Sequence, residues 1–102
     1  MADRDIYAGL IRLHVLYHAA KEGIFGLGII EELRRHGYNL SPGTLYPMLH
    51  GMEKRGYLAS RSVPVHGKIR RVYRVTPLGR KALKEAKGKV RELFGELFEE
   101  ER

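Results

Sequence analysis

The stretch "GYNLSPGTLYPML", residues 37–49, sets two prolines five residues apart where a helix is due to begin. Ser41-Pro42 suits a helix start, with serine as cap and proline at the first helical position. Pro47 falls past the first turn, where it donates no backbone hydrogen bond and its ring presses on the carbonyl four residues back. That carbonyl belongs to Gly43, which can shift without side-chain cost. The expected result is a loosened or slightly bent first turn. The other reading starts the helix near Tyr46 and leaves "SPGT" as a separate turn. In both, "GTLYP" is the exposed leading edge. Leu45, Met48, Leu49 and Met52 recur at i, i+3, i+4 and i+7 as one apolar stripe. Leu40 before the cap and Leu45 after it have the spacing of a hydrophobic staple.

Outward from this helix the punctuation gives the rest. Residues 4–22 read as a first helix with one row at Ile6, Tyr7, Leu10, Leu13 and Tyr17 and a second through Ile11 and Val15, broken by "EGIFG". A second helix spans about 27–36, stopped by Gly37. Gly56 ends the third. Residues 57–63 and 69–75 read as two strands around "VPVHGK", and Thr76-Pro77 opens a long last helix. Three helices, a β-hairpin and a terminal helix make a mainly α fold, a winged helix-turn-helix with the third helix as recognition helix. Residues 1–76 form the DNA-binding part and 77–102 a dimerisation helix within the same structural unit.

A chain of 102 residues is one domain's worth. It has no cysteine, so no disulfide or thiolate chemistry, and no apolar run that would span a membrane. "MADRDIY" lacks the layout of a signal peptide, and a cytoplasmic home is expected. The absence of glutamine, a single Asn39 and 30% charged residues resemble a thermophile composition. The net charge of +7 is unevenly spread. Lys54 to Lys81 contains nine basic residues and no acid; residues 26–81 balance at +8 and the remainder at −1. Such a stretch repels itself, and a polyanion such as double-stranded DNA relieves that.

With the apolar stripe inward, the opposite face of the third helix offers Gly43, Thr44, Tyr46, Pro47, His50, Gly51 and Lys54. The expected DNA contacts there are Ser41, Thr44, Tyr46, Pro47, His50 and Lys54, with the hydroxyls donating to phosphate oxygens and the Tyr46 ring largely exposed. In the hairpin Arg61, His66, Lys68, Arg70, Arg71 and Arg74 are expected to reach the minor groove and its phosphates. A competing explanation is a short edge hairpin charged against aggregation.

In the last helix Gly79, Leu83, Ala86, Val90, Leu93 and Leu97 are spaced 4, 3, 4, 3, 4, a heptad seam that needs a partner beyond the core. The simplest partner is a second copy. The expected homodimer interface is Leu10, Tyr17, Leu83, Ala86, Val90, Leu93, Phe94 and Leu97. Gly88 and Gly95 share a face, either at a close helix crossing or merely tolerated. His14 and His18 have metal-compatible spacing, but two ligands without a matching carboxylate give no site, and no metal or cofactor is expected. No Ser-His-Asp set, carboxylate pair or phosphate loop can be assembled, so no enzyme is expected.

"LSPGTLYPMLHGMEKRGYL" resembles the signature stretch of PadR-like transcriptional regulators, with Gly43-Thr44-Leu45-Tyr46-Pro47, Leu49 and Glu53-Lys54-Arg55-Gly56-Tyr57-Leu58 in place. "GLGIIEEL" is similar to that family's Gly-Tyr-Glu-Leu helix, with Gly28-Ile29-Ile30 where Gly-Tyr-Glu is common. "RRVYRVTPLGRKAL" resembles its passage from wing to last helix, with Val75 for leucine. The resemblance covers nearly the whole chain and fits the short branch with one C-terminal helix. It implies a dimeric bacterial or archaeal transcription factor, usually a repressor released by a small effector. In some such proteins the dimer interface binds flat aromatic compounds; here Tyr7, Tyr17, Phe94, Phe98 and the histidines could line such a pocket, without a tryptophan to stack on the ligand. Two functions remain open: a sequence-specific repressor acting as a homodimer on a two-fold symmetric operator, and a non-sequence-specific nucleic-acid-binding or protein-docking winged helix. A palindromic site preference separates them.

Overall fold

The computed structural model describes residues 4–99; the chain ends taken in by the division into 1–76 and 77–102 lie outside the described residues. The order is α1 (Arg4–Lys21), β1 (Ile24–Phe25), α2 (Gly26–Arg35), α3 (Pro42–Lys54), β2 (Leu58–Val65), β3 (Lys68–Val75) and α4 (Pro77–Glu99). The strands form an antiparallel sheet in the order β1-β3-β2.

The two rows of α1 part company. Ile11, Val15, Leu16 and Ala19 enter the core, whereas Ile6, Tyr7, Leu10 and Tyr17 stay exposed. The core continues through Ile29, Ile30 and Leu33 of α2, Leu45, Leu49 and Met52 of α3, and Ile24, Leu58 and Tyr73 of the sheet. Met48 and Leu40 pack against it from the side.

Glycines close both middle helices. The Tyr38 N–H donates to the Leu33 carbonyl and the Gly37 N–H to that of Arg34, with Gly37 at φ 91°. The Tyr57 and Gly56 N–H groups repeat this at the end of α3, on Met52 and Glu53, with Gly56 at φ 88°. This is the left-handed stop that satisfies the last carbonyls of a helix.

The hairpin is longer and tighter than the sequence suggests. β2 and β3 pair from Leu58–Val75 to Val65–Lys68, leaving a two-residue turn, His66-Gly67, with φ of 50° and 80°. Two positive φ values define the type I′ turn that matches strand twist. Pro64 reads as a loop residue, but it lies in the outer strand of the sheet, where a missing N–H is tolerated. β1 is also absent from the sequence reading. Its two residues pair with Tyr73 and Val72 of β3, a register that local pattern does not encode.

Thr76 joins wing to α4. Its hydroxyl donates to the Gly56 carbonyl and accepts from the Gly79 N–H at 3.0 Å. Gly79 is not part of an outward seam: it is buried, and a Cβ there would run into the Tyr57 carbonyl and Val75. The seam therefore starts later. Leu83 packs partly on the core, Ala86 is half-buried, and Val90, Leu93, Phe94, Leu97 and Phe98 are exposed. The far half of α4 reaches away from the body, within overall dimensions of 53 × 31 × 22 Å.

Candidate nucleic-acid interface

α3 runs unbroken from Pro42 to Lys54 with Pro47 inside it, so "SPGT" is not a separate turn. Ser41 is the capping residue by backbone: its carbonyl accepts from the Thr44 and Leu45 N–H groups at 3.0 Å each. Its side chain does not cap, contrary to expectation. The hydroxyl instead donates to Thr44 Oγ1 at 3.4 Å, tying together the two hydroxyls at the leading edge of the helix.

Gly43, Pro47, His50 and Lys54 form the exposed row of α3 at i, i+4, i+7 and i+11. Among the described residues, a Cβ at Gly51 would meet nothing within 4 Å, and one at Gly43 would touch the Ser41 hydroxyl at 3.7 Å, an ordinary contact. No acid interrupts the row. Glu53, the helix's one carboxylate, turns toward β2, where it accepts from the Ser60 N–H at 3.1 Å and the Ser60 hydroxyl at 2.8 Å.

Tyr46 departs from expectation. It is half-buried, packed against the core, and its ring tip fills the space above Gly26 at the start of α2. The helical wheel of α3 puts Tyr46 off the apolar stripe, but the N-terminus of α2 comes to meet it there. Tyr46 thus locks two helices together, and its role as a freely exposed phosphate donor does not survive the packing.

The wing arginines fall on two faces. Strand alternation and register put Lys68, Arg70 and Arg74 of β3 on one face with Arg61 of β2, Val72 and Phe25. The Arg70 guanidinium lies 5.1 Å from the Phe25 ring centre, and the Arg74 guanidinium lies beside Gly23. Val72 is buried beneath these side chains, so the arginine stems cover apolar surface, and Arg70 Nε is itself buried with no hydrogen-bond partner among the described residues. Arg71 is on the opposite face and is not a free cation: it donates to Ser60 Oγ at 3.0 Å, and Ser60 in turn holds Glu53. The sequence shows no acid within the wing, and misses this one because it arrives from α3. His66 and Lys68 stand exposed at the turn.

Two further arginines of the basic stretch differ in use. Arg80 donates to the Ala20 carbonyl at the end of α1, a structural tie. Arg55 is exposed just after Lys54 and was passed over in the sequence reading, although the run of cations already included it. Beneath the sheet, burial pushes the Tyr73 hydroxyl pKa up, with Glu53 adding to the rise.

On the other side of the molecule a cleft of about 780 Å³ opens between α1 and α4, walled by Leu10, Tyr17, Leu83, Val90 and Phe94. Burial, together with the neighbouring histidines, lowers the pKa of His14 in this cleft; burial also lowers that of His18, against the opposing pull of Glu32.

The sequence model described as the Transcriptional regulator PadR-like family matches residues 15–85. The chain is 48% identical over 95 residues to the transcriptional regulator Rv3488 of Mycobacterium tuberculosis, covering 93% of this chain and 89% of that protein. It is 33% identical over 75 residues to the transcriptional activator GvpE of Haloferax mediterranei, covering 72% of this chain and 37% of that one. Among solved structures, a PadR-like transcriptional regulator from Bacillus cereus superposes with a TM-score of 0.80 at 26% identity, over 92% of this chain and 96% of that chain. A PadR family regulator from Eggerthella lenta superposes with a TM-score of 0.72 at 28% identity, over 97% and 91%. With the recognition helix, wing and terminal helix all in place, the chain belongs to the PadR-like family of transcriptional regulators.

Proposed function

We propose that the chain is a sequence-specific repressor that acts as a homodimer on a two-fold symmetric operator in double-stranded DNA in the cytoplasm. The carrying observation is the acid-free exposed row Gly43, Pro47, His50 and Lys54, achieved by turning Glu53 inward onto Ser60. A helix face with small residues at Gly43 and Gly51 can approach base edges closely, and the cations nearby supply sequence-independent attraction. Ser41 and Thr44 donate to the backbone at the helix entrance. Lys68, Arg61, Arg70 and Arg74 flank it from the wing, with His66 at the tip.

Residues 1–76 contain the DNA-binding surface and 77–102 the pairing segment, whose described part is α4. Val90, Leu93, Phe94 and Leu97 form the apolar strip that a second copy covers, assisted by Leu10 and Tyr17 of α1, with Leu83 and Ala86 at its inner end. The cleft between α1 and α4 is of a size that takes a small aromatic effector. An effector bound there would act on the spacing of the two recognition helices.

The test is selection of bound fragments from genomic DNA. Enrichment of a site with two-fold symmetry is the expected result. Equal retention of all duplexes would replace this proposal with non-sequence-specific binding.

A further inference from the structure

His14 and His18 face the cleft one helical turn apart on α1. Folding brings His36, at the end of α2, to the same place, so that one ring nitrogen from each histidine lies within 4.8 Å of the others. The His14 and His36 rings stack with centres 4.5 Å apart. Glu32 stands beside two of the three: its Oε2 lies 3.2 Å from His36 Nε2 and 3.7 Å from His18 Nε2. His18 Nε2 is buried and makes no hydrogen bond among the described residues. Three histidines thus converge, with Glu32 beside two of them, and one of the three presents a buried nitrogen without a hydrogen-bond partner among the described residues.

We propose that His14, His18, His36 and Glu32 form a site for a divalent transition-metal ion of the zinc class. Imidazole nitrogens and one carboxylate oxygen suit such an ion and do not suit magnesium or calcium, which take oxygen ligands. A tetrahedral ion with bonds of ~2.1 Å sets its ligand atoms about 3.4 Å apart, so the group closes by roughly an ångström. His36 is exposed, so a small inward shift of its ring displaces no core side chain. Arg35 Nη1 grips the other carboxylate oxygen, Glu32 Oε1, at 3.1 Å, and so orients Oε2 toward the histidines. The opposing charges are Lys21 on α1, which lies near His18, and Lys87 and Arg91 on α4, which line the cleft. Bound metal would tie α1, which borders the expected pairing surface, to α2 of the helix-turn-helix. The site stands on residues separate from those proposed to meet DNA, so it holds or fails independently of that reading.

The experiment is titration of the chelator-treated full chain with Co²⁺, followed by visible absorption, and with Zn²⁺ by calorimetry. The expected result is one ion per chain with the strong visible bands of four-coordinate cobalt, displaced by Zn²⁺ and untouched by Mg²⁺. His36→Ala, at an exposed position, and Glu32→Gln should each weaken binding by more than about tenfold, while His50→Ala leaves it unchanged. Lys87→Ala, which removes an opposing charge, should tighten binding, a sign that loss of folding cannot produce. Weak six-coordinate cobalt spectra alike in all variants, or full affinity in a folded His36→Ala, would overturn the site and leave a cluster of packed, hydrogen-bonded histidines.

Discussion

Gly26 has no room for a methyl group, because the Tyr46 ring tip already occupies that space. Gly26→Ala should therefore cost about 1–3 kcal/mol, the usual range for overpacking a rigid contact. The denaturant midpoint will read this. In a Tyr46→Ala background the same change should cost much less, and additivity of the two would show that they do not touch. Pro47 sits at the opposite extreme, exposed and in the wrong place for a helix. Pro47→Ala restores an N–H that can bond to the Gly43 carbonyl, so Tm should rise or hold. DNA affinity should fall, since the proline's stiff surface lies in the exposed row. If stability drops and affinity is unchanged, Pro47 is not a functional residue. The inward positions Leu45, Leu49 and Met52 were legible because helical period alone fixes them. The place of Tyr46 was not, because it depends on where α2 begins in space.

At the scale of elements, the wing separates cations that are free from those that are tethered. Lys68 and Arg61 are exposed on the outer face and make no ion pair among the described residues; Arg71 is bound into the Arg71–Ser60–Glu53 chain. Lys68→Ala and Arg61→Ala should each flatten the dependence of log K on log salt by about 0.9, the value for one lost phosphate contact on duplex DNA. Arg71→Ala should flatten it less and lower stability more. Fluorescence anisotropy across a salt series measures the slopes, and a larger effect at Arg71 than at Lys68 would reverse the assignment of faces. Helix ends were readable from Gly37, Gly56 and Thr76-Pro77, whose chemistry is local. β1, the inward Glu53 and the meeting of His36 with His14 and His18 were not. Two of these join residues distant in sequence, and the third crosses the turn from α3 to β2; none carries a periodic mark.

Across the whole molecule, α4 is the part whose surface does not fit a lone chain. Its 23 residues extend about 35 Å at ~1.5 Å per residue. Its outer half exposes Val90, Leu93, Phe94, Leu97 and Phe98, while Phe94 and Phe98 touch only each other among the aromatic rings, 4.6 Å apart. Since Leu93 is already exposed in the single chain, Leu93→Asp leaves the fold's own core alone. It should lower the mass seen by light scattering from two chains toward one, with the helical circular-dichroism signal largely kept. An intact dimer in that variant would remove α4 from the interface. The heptad spacing made this strip legible, whereas its inner boundary was not: Gly79 looks like a seam residue but is consumed by the close approach of Tyr57.

Pairing through α4 and docking through α3 together make a geometric claim, that two recognition helices meet the same face of DNA in two-fold arrangement. Hydroxyl-radical footprinting on a fragment recovered by genomic selection tests this most directly. Two protected patches are expected, related by two-fold symmetry and separated by a whole number of turns, about 10–10.5 base pairs each, with weaker flanking protection from the wings. A single patch, or even protection along the whole fragment, would contradict it.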